Sequence, residues 1–396
     1  MATRRCLLVA ARKPRSSGGG FSTSDVPLRR NYATLIMSRN FVGQRRPSFS
    51  GCNRTPTSTI GLGRNLSGST KSKTQQEKED HQQSVELVRT RDFEGYLCGL
   101  LMPSHARESY FAVRSLNVEL ASIKDGRRKR NVGGAGDDPS LASRLRMQWW
   151  REAINGMYED SPVVEEPSVA GFLSHMSTSQ QHSPIVRSVR RATQSADLTR
   201  RFLDRLVDAR EADLEQSQMT TLQQLTEYSE ETSSSVLYLS LECAGVRDED
   251  ADSAAYHVGV GSGLVSTLRS TVYRAEHHEE VALPVDVMEK YGVEDQFLLS
   301  GGQTNDDSKQ QQEALQNAVR EVAHLAAAHL ARARQLQSRV PKAGRPSLLP
   351  AVPALMYLQQ LQSAQYNVFD PVLLQPELNR FRLLLHLSRS WLTGVF

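Results

Sequence analysis

"ARESYFAVRSLNVELASIKD", Ala106 to Asp125, repeats apolar residues at the spacing of one helix face. Phe111, Leu116, Leu120 and Ile123 fall inward, because residues three and four apart lie side by side on a helix. Asn117, Glu119 and Asp125 bring polar groups into that otherwise apolar helix. Acids four apart on a helix face can hold a Mg²⁺–diphosphate, since that ion takes hard oxygen ligands. Ala121 stands four residues before Asp125, so only one acid-sized position is present. A polar helix face accounts for the same pattern without a site.

The helical period continues outward in both directions. "DFEGYLCGLLMP" reads as a helix stopped near Pro103, and "LASRLRMQWWREAINGMY" as a helix from about Leu141 to Tyr158. Between them Gly126 to Ser140 is charged and glycine-rich, so a loop is expected. "SVAGFLSHM" and "SPIVRSVRRATQSADL" read as shorter helices. "LTRRFLDRLVDAREADLEQ" places Leu203, Leu206, Val207 and Leu214 on one stripe. A short helix and a longer one then end at Gly245, a C-cap candidate. The helix over "DADSAAYHVGVGSGLVSTLRSTVY" carries Ala, Gly and Ser residues that allow close packing. After a loop over Gly301 to Gln312 comes the cleanest helix, with Leu315, Val319, Val322, Ala326, Leu330 and Ala333 on one face. Two further helices are expected near Pro353–Ser363 and Pro371–Leu392. Strand-like alternation and Asn-Gly hairpins are absent. The sequence therefore predicts an all-α protein, one large helical domain of roughly ten helices over residues 85–396. A bundle of this kind builds its site between facing helices.

Charge divides the chain. Residues 1–76 hold 14 Lys/Arg and a single acid, Asp25, which leaves 34 basic against 43 acidic residues beyond them. An acidic folded part argues against a nucleic-acid binder, which carries its positive excess on the fold. The leader is rich in Arg, Ser, Thr and Gly, and "MATRRCLLVAARKPR" can form a short basic amphipathic helix. This is the composition of an organelle transit peptide, and mitochondrial import is expected from it. A disordered basic tail is the plainer account. The cysteines, Cys6, Cys52, Cys98 and Cys243, have no metal or disulfide spacing.

"YRAEHHEE", Tyr273 to Glu280, sets two histidines beside acids. Adjacent residues point in different directions, and zinc sites pair histidines three to five apart or draw on a cysteine pair. A solvated polar loop is expected here, with no metal. Trp149 and Trp150 are neighbours, so one must face the core of an amphipathic helix. "FRLLLHLSRSWLTGVF", residues 381–396, is basic and amphipathic. It can lie in a membrane interface, but its place at the end of a bundle favours a buried terminal helix.

The order of these segments resembles the squalene/phytoene synthase family. "RDFEGYLCGLLMPSHARESYFAVRSLNVELASIKD", "RMQWWREAI", "HVGVGSGLVSTLRST" and "EVALPVDV" carry the resemblance, which spans about residues 88–392. It implies an isoprenoid-synthase type of helical domain. The family's active synthases hold Mg²⁺ through two D-x-x-x-D-type motifs, where the ion acts as a Lewis acid on the diphosphate. The matching positions here are Ala121 and Asp125, then Ser270 and Arg274, so three of four acids are replaced. "EGYLC", "LNVELA" and "RMQWW" point within the family to a mitochondrial branch with a non-enzymatic role in building respiratory complex I. The resemblance thus implies complex I subunits or assembly intermediates as partners, the matrix side of the inner membrane as location, and no cofactor. The candidate cleft-lining residues are Arg114, Asn117, Glu119, Asp125, Trp149, Arg269, Tyr273 and Arg274. None is assigned a catalytic or metal-binding role. Two alternatives stand beside this expectation. One is a Mg²⁺-dependent prenyl-diphosphate transferase. The other is a protein whose cleft takes a prenyl or lipid-like chain, with Arg269 or Arg274 near an anionic head. The bland account of those arginines is an ion pair with Glu119 or Asp125.

Overall fold

Leu315, Val319, Val322, Ala326, Leu330 and Ala333 are all buried. They form the seam between the two longest helices of the computed structural model, which describes residues 72–128, 139–158, 179–302, 308–374 and 380–395. In chain order the helices are α1 (Lys73–Arg91), α2 (Phe93–Leu100), α3 (Arg107–Arg128), α4 (Pro139–Tyr158) and α5 (Pro184–Ala196). They continue with α6 (Arg200–Glu215), α7 (Leu222–Ser229), α8 (Ser235–Cys243) and α9 (Glu249–His278). The last are α10 (Val285–Tyr291), α11 (Asp295–Leu299), α12 (Ser308–Leu336), α13 (Ala351–Ser363) and α14 (Arg380–Thr393). A π-helical turn, Glu230–Ser234, joins α7 to α8. No strand occurs among the described residues.

α9 runs through the middle, packed on α12, α7, α8, α13 and the π turn. Its glycines make this possible. A Cβ on Gly261 would sit 2.8 Å from Leu330 Cγ on α12, and one on Gly259 only 2.4 Å from Ser234 Cα in the π turn. α3 packs between α1 and α5 on one flank and α4 on the other. Its inward residues Phe111, Leu116, Leu120 and Ile123 are buried, as the period required.

The termini of the helices follow their chemistry. Asp248 caps α9 through Ala251 N–H at 2.9 Å, satisfying one of the donors that a helix start leaves open. α8 closes at Gly245, whose φ of +71° suits a residue without Cβ. Beyond it, Val246 N–H returns to Leu241 O at 2.9 Å. Glu242 on α8 is buried and accepts from Thr199 N–H at 2.8 Å and from Arg247 Nη1 at 3.1 Å. One carboxylate therefore fixes both the start of α6 and the loop after α8.

Several boundaries differ from the sequence expectation. α3 continues past Gly126 to Arg128. His277 and His278 are not in a loop; they form the last turn of α9, with Glu279 as its left-handed cap at φ 51°. The final helix starts at Arg380, while 371–374 form turns. "SVAGFLSHM" lies outside the described residues, as does most of the expected Gly126–Ser140 loop.

Candidate functional site

Asn117, Ala121 and Lys124 follow one another by four and three residues, so they share one face of α3. Opposite them, Ser266, Ser270 and Arg274 share a face of α9. Between the two faces lies a cavity of about 410 Å³. α2 supplies Asp92 and Glu94, α6 supplies Arg210 and Asp213, and the π turn contributes Thr232 and Ser233. α13 closes it with Pro353 and Ala354. A π turn widens a helix locally and often sits at such a site.

Charge in this cavity is arranged in pairs. Arg114 Nε lies 3.3 Å from Asp92 Oδ2, and Asp92 also caps α2 at Gly95 N–H, 2.9 Å away. Burial works against the Arg114 charge, but Asp92, Tyr110 and Cys98 more than offset it, and its pKa is raised. Arg269 grips Glu94 with both terminal nitrogens at 2.8 Å and lies over the Tyr357 ring at 5.6 Å. Two parallel charge-assisted bonds hold that pair in one geometry. Lys124 donates to Asp213 Oδ1 at 2.9 Å and to Asp213 O at 3.0 Å.

Two cations remain after these pairs. Arg210 is buried and donates to Asn117 Oδ1 at 2.5 Å and Leu206 O at 3.1 Å. No carboxylate among the described residues reaches ion-pair distance of it, and burial lowers its pKa. The Arg274 side chain, half-buried, makes no ion pair or hydrogen bond to the described residues. Among the described residues the lining therefore holds five cationic side chains, Arg114, Lys124, Arg210, Arg269 and Arg274, against three acids, Asp92, Glu94 and Asp213. Such a chamber favours an anion.

The residues present do not fit a divalent cation of the kind the resemblance implies. Ala121, Ser270 and Arg274 stand on the cavity wall at the positions that resemblance gives to acids. Ser270 turns its hydroxyl to Thr267 O at 3.0 Å. A guanidinium in a low-dielectric cleft repels a metal ion by Coulomb's law. Among the described residues no group of three or more His, Cys, Asp or Glu is placed to hold a metal.

Of the expected cleft residues, Arg114, Asn117, Arg269 and Arg274 line the cavity. Glu119 and Trp149 do not. They flank a separate, shallow groove with Leu145 and Ile185, because Glu119 lies two residues from Asn117 and so on the far side of α3. Glu119 pairs with Arg146 at 3.2 Å. Trp149 stands edge-on to Trp150 with centroids 4.9 Å apart, and Trp150 is the buried one. Tyr273 stacks on His277 at 4.6 Å, off the cavity wall. The Asp125 side chain lies outside the described residues. Of the bland ion pairs, Arg269 with Glu119 does not form: Arg269 takes Glu94, and Glu119 takes Arg146.

Sequence reasoning missed Asp92, Glu94, Lys124 and Arg210. For Arg210 the signal was present: it sits on the apolar stripe of α6 among Leu203, Leu206, Val207 and Leu214, where a charged residue needs a reason. Lys124 was readable as the third member of the Asn117–Ala121 face. Glu94 had no local signal, because its partner is 175 residues away.

Comparison with known proteins agrees with this geometry. The chain is 34% identical over 297 residues to "NADH dehydrogenase (ubiquinone) complex I, assembly factor 6" of Rattus norvegicus, covering 75% of this chain and 78% of that one. The Homo sapiens protein of that name is 33% identical, covering 74% and 76%. The Drosophila melanogaster homolog is 32% identical, covering 71% and 75%. Among solved structures, a dehydrosqualene synthase in complex with ligand superposes with a TM-score of 0.61 at 16% identity, over 81% of this chain and 99% of that one. Squalene synthase HpnC from Alicyclobacillus acidocaldarius gives 0.53 at 16%, over 74% and 96%. At such identity the likeness is one of fold, and it is the isoprenoid-synthase fold. The family model for squalene/phytoene synthase matches residues 88–386, the stretch that builds the cavity from α2 to α13, and the chain belongs to the squalene/phytoene synthase family.

Proposed function

We propose that this protein is a non-catalytic assembly factor for mitochondrial respiratory complex I, acting early in biogenesis on the matrix side of the inner membrane. The observation that carries the proposal is Arg274, a cation on the cavity wall where a synthase of this family needs an acid. Ala121 and Ser270 remove two more metal-binding positions, so the chemistry of the family's enzymes lacks its Lewis acid. Similarity over three quarters of the chain to proteins named as complex I assembly factors supplies the partner class. The basic, acid-poor residues 1–76 fit an imported precursor. No helix among the described residues is long and apolar enough to cross a membrane, so attachment to the inner membrane is peripheral in this scheme.

A knockout resolved on native gels tests it. Assembled complex I falls, isoprenoid levels do not change, and the full chain restores the complex while a chain lacking residues 1–76 does not. Normal complex I in the knockout would overturn the proposal. Mg²⁺-dependent diphosphate release from farnesyl or geranylgeranyl diphosphate by the purified protein would favour the transferase instead.

A second reading concerns the cavity itself. Arg210 and Arg274 are cations without carboxylate partners among the described residues, beside an apolar wall that includes Leu120, Met147, Leu225 and Val265. This suits a chain with an anionic head, such as a prenyl or phospholipid ligand. Solvent extraction of the purified protein followed by mass spectrometry should recover such a molecule; a clean extract counts against it.

A further inference from the structure

α14 was expected to be buried, yet only Leu383 and Leu387 of its apolar residues are. Phe381 is 83% exposed, Leu385 71% and Leu392 75%, with Leu384, Trp391 and Val395 exposed beside them. At 100° per residue these helical side chains span an arc of about 120° that adjoins the buried seam. Arg382 and Arg389 fall on the next arc and are exposed. They make no ion pair among the described residues. α14 contains no Asp or Glu in "RFRLLLHLSRSWLT". Lys342 and Arg345 border the same end of the helix, lining a depression with Trp391 and Leu392.

A contiguous apolar patch of this kind on a folded surface marks an interaction site. Three features choose among occupants. The apolar side chains are long and mixed aromatic–aliphatic. The charges on the helix itself are all positive. The helix is held by a narrow seam, so its open arc is free to enter a soft surface. That is the pattern of a helix lying in the plane of a membrane, with Arg at the headgroups and Phe, Leu and Trp below them. A protein partner would need an acidic rim around an apolar groove to match it, a more demanding complement than an anionic lipid surface presents unaided.

We infer that α14 docks the protein onto an anionic bilayer surface, with Phe381, Leu385, Trp391 and Leu392 inserted and Arg382 and Arg389 at the headgroups. The inference deepens the role proposed at the inner membrane, resting on it only for which membrane is meant. α14 packs on α13, and Arg380 lies over the Phe93 ring of α2 at 5.0 Å. Both neighbours supply walls of the cavity, so a docked α14 brings the cavity's own helices to the lipid.

The test uses the full purified chain and vesicles of phosphatidylcholine with or without phosphatidylglycerol. Trp391 is the sole tryptophan of α14, so the emission that Trp391→Phe removes reports this helix and not the basic leader. We expect that emission to shift to the blue with phosphatidylglycerol vesicles, and the shift to shrink at high salt. Leu385→Glu with Leu392→Glu abolishes it. Arg382→Glu with Arg389→Glu raises the lipid concentration needed by at least tenfold. All four positions are exposed, so the fold is kept. No Trp391-dependent shift, or a shift indifferent to these variants, overturns the inference. So does an unaltered shift combined with loss of complex I intermediates from detergent pull-downs of the Leu variant, which would make the face a protein-docking site. Because vesicle binding is read on the isolated protein, its failure is distinct from a failure of the assembly role.

Discussion

The Nδ1 atoms of His257 and His329 lie 3.1 Å apart across the α9–α12 seam. One ring must donate and the other accept, so at least one is neutral in the folded protein. Burial, then His329, then the Arg332 charge hold His257 down to about 4, and burial lowers His329 as well. In an unfolded chain both rings take up protons near pH 6.5. The folded chain binds fewer protons between that value and about 4, so stability is complete above pH 6.5 and falls as the pH drops through the window. His257→Phe should flatten the curve of thermal midpoint against pH over that range. After allowance for solvent screening of half-buried rings, the effect is roughly 1 kcal/mol. A curve as steep as the wild type's would show that other groups carry the acid sensitivity.

Arg274 gives the cavity a cation with no carboxylate partner among the described residues, at the position where the family's synthases carry an acid. Inorganic diphosphate should raise the thermal midpoint of the wild-type protein without added Mg²⁺. In Arg274→Ala the apparent affinity should fall about tenfold, the size of one lost charge-assisted bond. Addition of Mg²⁺ should not rescue it. A Mg²⁺ requirement in the wild type would contradict the electropositive chamber.

Gly259 and Gly156 both lie inside helices, yet their substitution by Ala should act in opposite directions. A Cβ at Gly259 meets Ser234 Cα at 2.4 Å, and that backbone atom cannot step aside. Overpacking there costs about 1–3 kcal/mol. At Gly156 the nearest atom is Arg190 Nη2 at 3.9 Å, so the gain in helix propensity, up to about 1 kcal/mol, is kept. Denaturant midpoints of the two variants decide it.

Asp80 on α1 is 2% exposed and receives Arg187 Nη2 at 2.5 Å and Arg191 Nη1 at 3.1 Å from α5. Asp80→Asn removes the charge but not the shape. It should destabilise by about 2–3 kcal/mol, less than a fully buried pair because both arginines reach solvent. Equilibrium unfolding should then show earlier release of α1, read as faster amide exchange across it.

Where buried apolar residues recur at helical spacing, as in α3, α6 and α12, the helix was readable from spacing alone. α1 was not, because its 19 residues hold only Val85, Leu87 and Val88 as aliphatics. What fixes it is Asp80 reaching two arginines more than a hundred residues ahead, and no local pattern encodes that. α10 and α11 are too short to show a period. At the site, the positions on the two facing helices were legible through the family resemblance. The error at Glu119 and Trp149 was one of direction: naming a helix does not say which of its faces meets the cavity. The histidines after Tyr273 read as loop because adjacent polar residues break the period, while the helix carries on to a left-handed cap.

Three ion pairs of the cavity, all among the described residues, also act as struts. Asp92–Arg114 braces α2 to α3, Glu94–Arg269 braces α2 to α9, and Lys124–Asp213 braces α3 to α6. Walls propped in this way do not close on an empty interior. An occupant then finds its space already shaped, and its binding energy appears as added stability of the whole helical unit by mass action. The melting temperature of the protein becomes a gauge of whether the chamber is filled.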